Sequence, residues 1–256
     1  MPKILYKYVN MHTAKQILTT NSIRFSNMSS FNDPCDRPEL PIQRMGRFSN
    51  PTSHLVRANM KGQVWEETTG VLCLTRSATN ALMWAHYGNS HKGMIIGFNT
   101  ARAGFLIKTK NMIPAQFGSV IYTRDPDKSP NDLSDAKNII IGHTFKYIPG
   151  RYEQFQKLFL TKPLDWAYEE EVRVVKCLGG LSEVGTSEIK SGKFTSKNYK
   201  DELIHLYNLP NRAISEIHFG MNASQGDMEK ISKLFKGKCY HCRRIEGSYK
   251  FLSEPI

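Results

Sequence analysis

Glu169 and Glu171 bracket Glu170 in the run Trp166-Ala167-Tyr168-Glu169-Glu170-Glu171-Val172-Arg173, the densest grouping of acids in the chain. On a strand, alternate residues share a face, so the spacing predicts Glu169 and Glu171 pointing one way and Glu170 the other. Two such carboxylates repel unless a cation lies between them or one is protonated. Pairs of this kind serve as general bases or stabilise a developing positive charge. The competing reading is an edge strand of solvated acids, with Glu171 paired to Arg173 on its own face, which is worth little.

A second stretch, GVLCLTRSATNALMWAHYGNSHKGMIIGF over residues 70–98, reads as strand, polar turn, aromatic helix, glycine loop and strand. Arg76, Ser77, Trp84, His86 and Tyr87 predict an aromatic, hydrogen-bonding wall for a planar ligand. At helical spacing Trp84 and Tyr87 equally fit a core, and His86 alone fits a satisfied buried histidine. A third stretch, Phe31-Asn32-Asp33-Pro34, either makes side-chain turn bonds or places Asn32 or Asp33 at a cleft mouth. Cys239-Tyr240-His241-Cys242 offers three possible ligands without a second pair, so no metal is expected. The sequence holds no dinucleotide-binding GxGxxG, Walker A, GxSxG or HExxH pattern.

These segments need a scaffold to bring them together. Apolar alternation predicts strands at Ile4–Val9, Ile23–Ser26, Gly70–Leu74, Met94–Phe98, Ser119–Tyr122, Glu171–Cys177, Ile214–Phe219 and Cys239–Ile245. Helices are predicted at His12–Thr20, at Asn80–Tyr87 with Ser77 or Thr79 as cap, and at Ser224–Leu234. Two more are predicted between Asp132 and Phe159, broken at Pro149-Gly150. The late strand–helix–strand order favours a parallel, right-handed crossover. Without strict alternation of strand and helix, the expected class is α+β with mixed, mostly antiparallel central sheets and flanking helices. One domain over residues 1–256 is expected, with a loop insert at 37–68 and a C-terminal strand–helix–strand appendage at 210–256.

Composition bounds the function class. The chain has 256 residues, 40% hydrophobic, with no run of the roughly 20 apolar residues that a spanning helix needs. Five scattered cysteines fit reduced thiols, and a cytoplasmic location without membrane association is expected. The formal charge of +12 would draw polyanions, nucleic acid or an acidic protein, though a solvated basic surface accounts for it equally.

In order along the chain, Leu5–Tyr8, Ile23–Ser26, Phe31–Pro34, Trp84–Gly88, Gly93–Phe98 and Trp166–Arg173 resemble the motifs of DUF2971, a bacterial family of unknown function. The resemblance covers nearly the whole chain, and departs at Cys35-Asp36, where Phe-Glu is the family's pair. A fainter similarity is to ADP-ribosyltransferases. Gly70, Ser77, Ala81 and Tyr87 fall in places comparable to their second motif, and Glu169 with Glu171 to their glutamate motif; Lys7 stands where a His or Arg is expected. That similarity implies an ADP-ribosyltransferase-like fold and NAD as substrate. Glu171 would stabilise the oxocarbenium-like centre and accept a proton, with Glu169 orienting ribose or acceptor. Tyr87, or Trp84 and Tyr8, would stack nicotinamide; Ser77 would hold the ribose side, and Arg24 or Arg76 the pyrophosphate. Ser26 and His86 complete the expected cofactor-binding set. The acceptor would be nucleic acid, a protein or water. The alternatives are a nucleic-acid-binding or cleaving protein that does not use NAD, and a non-catalytic partner-binding module.

Overall fold

The computed structural model describes residues 3–36, 68–125, 144–200 and 202–256. Its central element is a seven-stranded, mostly antiparallel sheet built from β1 (Ile4–Val9), β3 (Thr69–Thr75), β4 (Met94–Asn99), β7 (Glu171–Cys177), β11 (Ile214–Phe219), β12 (Lys238–Arg244) and β13 (Phe251–Pro255). The order is β13-β12-β11-β4-β1-β3-β7. A four-stranded antiparallel sheet follows the order β2-β10-β9-β8, from β2 (Ser22–Phe25), β8 (Gly185–Ile189), β9 (Gly192–Tyr199) and β10 (Glu202–Asn208). A short parallel pair joins β5 (Ile121–Thr123) to β6 (Thr161–Pro163). The helices are α1 (Met11–Thr20), α2 (Ala81–His86), α3 (Tyr152–Phe159) and α4 (Gln225–Leu234). The expected α+β class, mostly antiparallel with flanking helices, is the observed one.

Alternation divides the large sheet's faces. Leu5 and Val9 of β1 bury into the main core with Leu72, Leu74, Ile96, Phe98, Val172, Val174, Ile217 and Phe219. Tyr6 and Tyr8 point the other way, as do Thr75, Glu171 and Arg173, because Tyr6 pairs with Thr75, Thr75 with Glu171 and Cys73 with Arg173. One face is therefore apolar core, and the other carries nearly all the chemistry.

The expected crossover is present: β11 and β12 run parallel, with Glu216 opposite Lys238, and α4 between them is capped by Ser224. This unit extends the large sheet through β11, which pairs with β4. Three local expectations change. Asn80, not Ser77 or Thr79, caps α2, its side chain accepting from the amides of Leu82 and Met83 at 2.9 and 3.1 Å. The strand expected at Ser119–Tyr122 starts at Ile121, with Ser119 making only an isolated bridge to Val172. Of the two helices expected between Asp132 and Phe159, only α3 lies in the described residues, and nearly all of the 37–68 insert lies outside them.

Although β7 ends the sheet, its outer edge is closed. The amide of Arg173 donates to Gly118 at 2.7 Å, that of Val120 to Glu171 at 3.1 Å, and Met112 and Ile113 both reach Val175. All seven residues of β7 are buried as a result. A β-carbon on Gly118 would overlap the carbonyl oxygen of Arg173, and backbone cannot swing aside as a flexible side chain does. Gly118→Ala is expected to cost about 3 kcal/mol or more, as overpacking against backbone does. Gly150→Ala, where a β-carbon meets nothing within 4 Å, should stay within about 0.5 kcal/mol of the parent. Chemical denaturation of the two variants checks the contrast.

Candidate functional site

Glu169 and Glu171 do converge, but not as neighbours on one strand. Glu169 ends the 3-10 helix Leu164–Glu169, Glu171 begins β7, and Glu170 between them adopts the left-handed conformation with φ 46°. For a residue with a side chain that conformation costs about 1–2 kcal/mol. The turn is therefore held from outside. Arg76 donates its backbone amide (3.4 Å) and its guanidinium (3.2 Å) to the Glu170 carbonyl, and Asn80 donates its side-chain amide to the Tyr168 carbonyl at 2.8 Å. The amide of Glu171 donates to the Tyr122 hydroxyl at 2.8 Å.

Neither glutamate is solvated; their relative exposures are 4% and 3%. Lys162 lies between them, its ammonium 2.6 Å from Glu169 and 3.2 Å from Glu171, so the cation that two close carboxylates demand comes from β6. Arg173 pairs with Glu171 as the spacing foretold, but inside the protein and fully buried. Its Nε donates to Glu171 Oε1 at 2.9 Å, one terminal nitrogen to the Phe159 carbonyl at 2.8 Å, and the other to Asp36 Oδ2 at 2.6 Å. Lys162 lies 3.5 Å from the same Asp36. Three carboxylates thus face two cations, one negative charge in excess when all are ionised.

The members answer this imbalance differently. Burial alone would raise the pKa of Glu171, but the attraction and hydrogen bonds of Arg173, helped by Lys162, bring it down to about 2. For Glu169 burial prevails over Lys162 and Tyr87, and its pKa is raised; for Asp36 burial prevails over Arg173, with the same result. Lys162 is opposed by burial yet shifted upward by Glu171, Glu169 and Asp36, so it stays charged. Glu171 is a fixed anion, whereas Glu169 and Asp36 are both shifted toward holding a proton.

These groups form one wall of a cavity of about 620 Å³, within the usual range for small-molecule sites. Asp36, Cys73, Lys162, Glu169 and Glu171 line one part of it, and Tyr6, Tyr8, Phe31 and Tyr87 supply rings. Across from the large sheet, α1 and the Arg24, Lys197 and Tyr199 face of the small sheet complete the lining. The Tyr87 hydroxyl donates to Glu169 Oε1 at 2.6 Å, and Asn32 bonds the Tyr87 side chain. Asp33 instead makes the turn, accepting from the Cys35 amide at 2.9 Å.

Of the expected set, Glu169, Glu171, Tyr8, Arg24, Ser26 and Tyr87 line this cavity; Arg76, Ser77, Trp84 and His86 do not. Trp84 is wholly buried, edge-on to Tyr8 at 5.1 Å and stacked on His91 at 6.2 Å, with its indole N–H on the Ala78 carbonyl. It is core. Ser77 contributes its carbonyl, which accepts from the Tyr8 hydroxyl at 3.1 Å. Arg76 clamps the glutamate turn, and His86 is exposed beside Tyr87 and Tyr168. Arg24 reaches the lining but pairs with Glu202 at 2.9 Å. Sequence reasoning missed Lys162 and Asp36. The charge arithmetic of two facing acids called for a lysine, and Lys162 stands seven residues before Glu169.

Residues 83–174 match the family model DUF2971, described as a protein of unknown function. That stretch, from α2 into β7, contains Tyr87, Lys162, Glu169, Glu171 and Arg173, whereas Asp36 and Tyr8 lie outside it. No curated protein and no solved structure matches the chain. The DUF2971 stretch therefore contributes the paired glutamates and both cations, and the N-terminal segments together with β9 and β10 complete the cavity lining.

Removing one partner of a buried ion pair typically costs about 3–5 kcal/mol, because the other charge is left uncompensated. Arg173→Met, which leaves Glu171, Asp36 and Glu169 to share Lys162 alone, is expected to fall at the upper end of that range in denaturant unfolding. A pH series isolates Glu171. Its folded pKa lies below the ordinary 4.5, so its contribution is present above that value and is lost as pH falls toward about 2. The stability gap between the parent and Glu171→Gln should therefore shrink across that window; a gap independent of pH would contradict the assignment of Glu171 as the fixed anion.

Proposed function

We propose that the cavity is the site of an ADP-ribosyltransferase-like enzyme that breaks the nicotinamide–ribose bond of NAD. What carries the reading is the joint presence, in one cavity, of a buried acidic cluster with one excess negative charge, tyrosine rings, and basic residues on the opposing sheet. Heterolysis of the bond sends its electron pair to the departing nicotinamide and leaves an oxocarbenium-like ribose. Carboxylates held close to the developing charge stabilise such a cation.

The division of labour differs from the one expected from sequence. Glu171 is engaged by Arg173 and Lys162 and has a low pKa, which makes it a weak base and a fixed source of field. Glu169 lies where a proton is readily held, with Lys162 on one oxygen and the Tyr87 hydroxyl on the other. It is the group that takes the proton of the attacking acceptor hydroxyl or water. Tyr8 and Tyr87 supply aromatic surface for the nicotinamide ring, and Lys197 and Arg24 favour the pyrophosphate. The acceptor is water, a nucleic acid or a protein side chain.

The test is nicotinamide release from NAD by the pure protein, alone and with RNA, DNA or cell lysate. Wild type should release it, Glu169→Gln should lose at least about 100-fold in rate as loss of a general base does, and Tyr87→Phe should fall by less with unchanged thermal stability. Absence of release from wild type under every condition would end the reading. Equal loss in all acidic variants together with unfolding would show only a structural role, so the thermal melts are run alongside.

A further inference from the structure

On the same sheet face as the glutamate cluster, but on strands at the other end of the sheet, a second set of side chains is connected by hydrogen bonds. The Ser253 hydroxyl lies 2.9 Å from Nδ1 of His218, and Nε2 of His218 lies 3.2 Å from Oε1 of Glu216. The Tyr6 hydroxyl donates to the same Glu216 oxygen at 3.0 Å. The His218 ring stacks on Tyr240 at 4.7 Å and meets Tyr6 edge-on at 5.6 Å, so its orientation is fixed from two sides.

Register explains the convergence. Glu216 and His218 are two residues apart on β11 and share a face; His218 lies opposite Tyr240, and Cys242 on that face of β12 lies opposite Ser253. Glu216 packs over Gly97, where a β-carbon would approach its side chain to 2.7 Å. A carboxylate cannot donate, so the Glu216 contact places the imidazole proton on Nε2 and leaves the Nδ1 lone pair facing the serine hydroxyl. Burial lowers the His218 pKa despite Glu216, keeping the ring neutral and able to accept a proton. A nucleophile hydroxyl, a neutral imidazole and an orienting carboxylate in series are the parts of a base-activated serine.

We propose that Ser253, His218 and Glu216 form a second site, separate from the glutamate cavity, at which Ser253 acts as a nucleophile on small carboxylic esters. Ser253 Oγ forms a bond to the ester carbonyl carbon as its proton passes to His218 Nδ1. Collapse breaks the carbon–alkoxide bond, and the leaving alkoxide takes that proton. Water then attacks the acyl-serine, its proton passes through His218 to Oγ, and the free acid departs. Glu216 stabilises the transient imidazolium, and Tyr6 holds Glu216 in place.

The backbone supplies a donor at the right residue. The Ile245 amide donates to Lys250 and the Ile256 amide to Cys239, which fixes the hydrogen-bonded pairs of β12 and β13 at even numbers of β13. Ser253 falls on the alternate, non-bonded register, so its own N–H points away from β12 toward the outer edge of the sheet. An N–H so directed can donate to the oxyanion that develops on the carbonyl oxygen of an ester attacked by Oγ. Ser253 is half-buried on the edge strand.

A fluorophosphonate probe reports the proposed chemistry directly, since it phosphonylates only activated serines, and 4-nitrophenyl acetate hydrolysis gives the rate. The wild-type protein should be labelled on Ser253 by peptide mass analysis, with an ester hydrolysis rate above the buffer blank. Ser253→Ala should abolish labelling, His218→Asn should reduce hydrolysis at least about 100-fold, and Ser248→Ala, in the adjoining turn, should match wild type. Ser253→Cys, which preserves the nucleophile position, should retain reaction with an acylating probe. Failure of the wild type to label, or labelling that persists in Ser253→Ala, overturns the proposal whatever the outcome of the NAD assay.

Discussion

Arg173 is a guanidinium placed where no water reaches it, and the site is arranged around satisfying it. Its donors go to Glu171 at the start of β7, to Asp36 in the turn after Phe31, and to the carbonyl of Phe159 at the end of α3. Phe31 covers its face, with the guanidinium carbon 5.4 Å from the ring centroid. Three chain segments, the Phe31–Asp36 turn, the end of α3 and β7, are thereby fixed around one side chain. A planar fork with several donors suits such a junction; an ammonium would satisfy fewer partners and lose the stacking. The arrangement also settles the roles of the acids. Because Arg173 takes Glu171 and Asp36, Lys162 lies closest to Glu169, and Glu169 keeps one oxygen for the Tyr87 hydroxyl.

Sequence periodicity located what periodicity can encode. The bounds of β1, β7 and β11 follow from runs such as Val172, Val174 and Val175, which bury on both sides, and α1 and α4 follow from helical spacing beneath Asn10 and Ser224 caps. The four-stranded sheet was not legible in the same way. Gly185–Ile189 and Gly192–Tyr199 are polar strands with few apolar residues, and in Glu202–Asn208 the apolar Leu203, Ile204, Leu206 and Tyr207 do not alternate as a half-buried strand should. Their signal is in the turns: Gly192 at φ 134° and Lys200 at φ 49° join neighbouring strands.

The site was legible as a set of residue types but not as a set of positions. Tyr87 and the two glutamates belonged together, while Trp84, equally aromatic and three residues earlier, faces the opposite way into Tyr8 and His91. Helical spacing alone cannot rank these two rings, because in a six-residue helix both can be reached by core. The resemblance failed at the pair Cys35-Asp36 for an instructive reason: the shorter acid still reaches Arg173 at 2.6 Å. A departure in length at that place is compatible with the same ionic role, since the guanidinium asks for a carboxylate within reach and not for a particular stem.

Charge acts on two scales in this molecule, with opposite signs. The chain as a whole carries +12, a field that concentrates anions near the surface and is screened over about 8–10 Å in ordinary salt. Inside the cavity the described acids outnumber the bases that touch them by one, and burial there screens little. An anion drawn by the outer field gains nothing by entering as far as Glu169 and Glu171; a purely cationic molecule is repelled before it arrives. The combination favours a ligand with negative charge at one end and positive charge, or the capacity to develop it, at the other. Lys197 and Arg24 of the small sheet line one side of the cavity, and the glutamates of the large sheet line the other. In the reaction proposed above, a dinucleotide with a pyrophosphate and a cationic ring has that polarity, and cleavage of its glycosidic bond would develop positive charge on the sugar, which carboxylates stabilise.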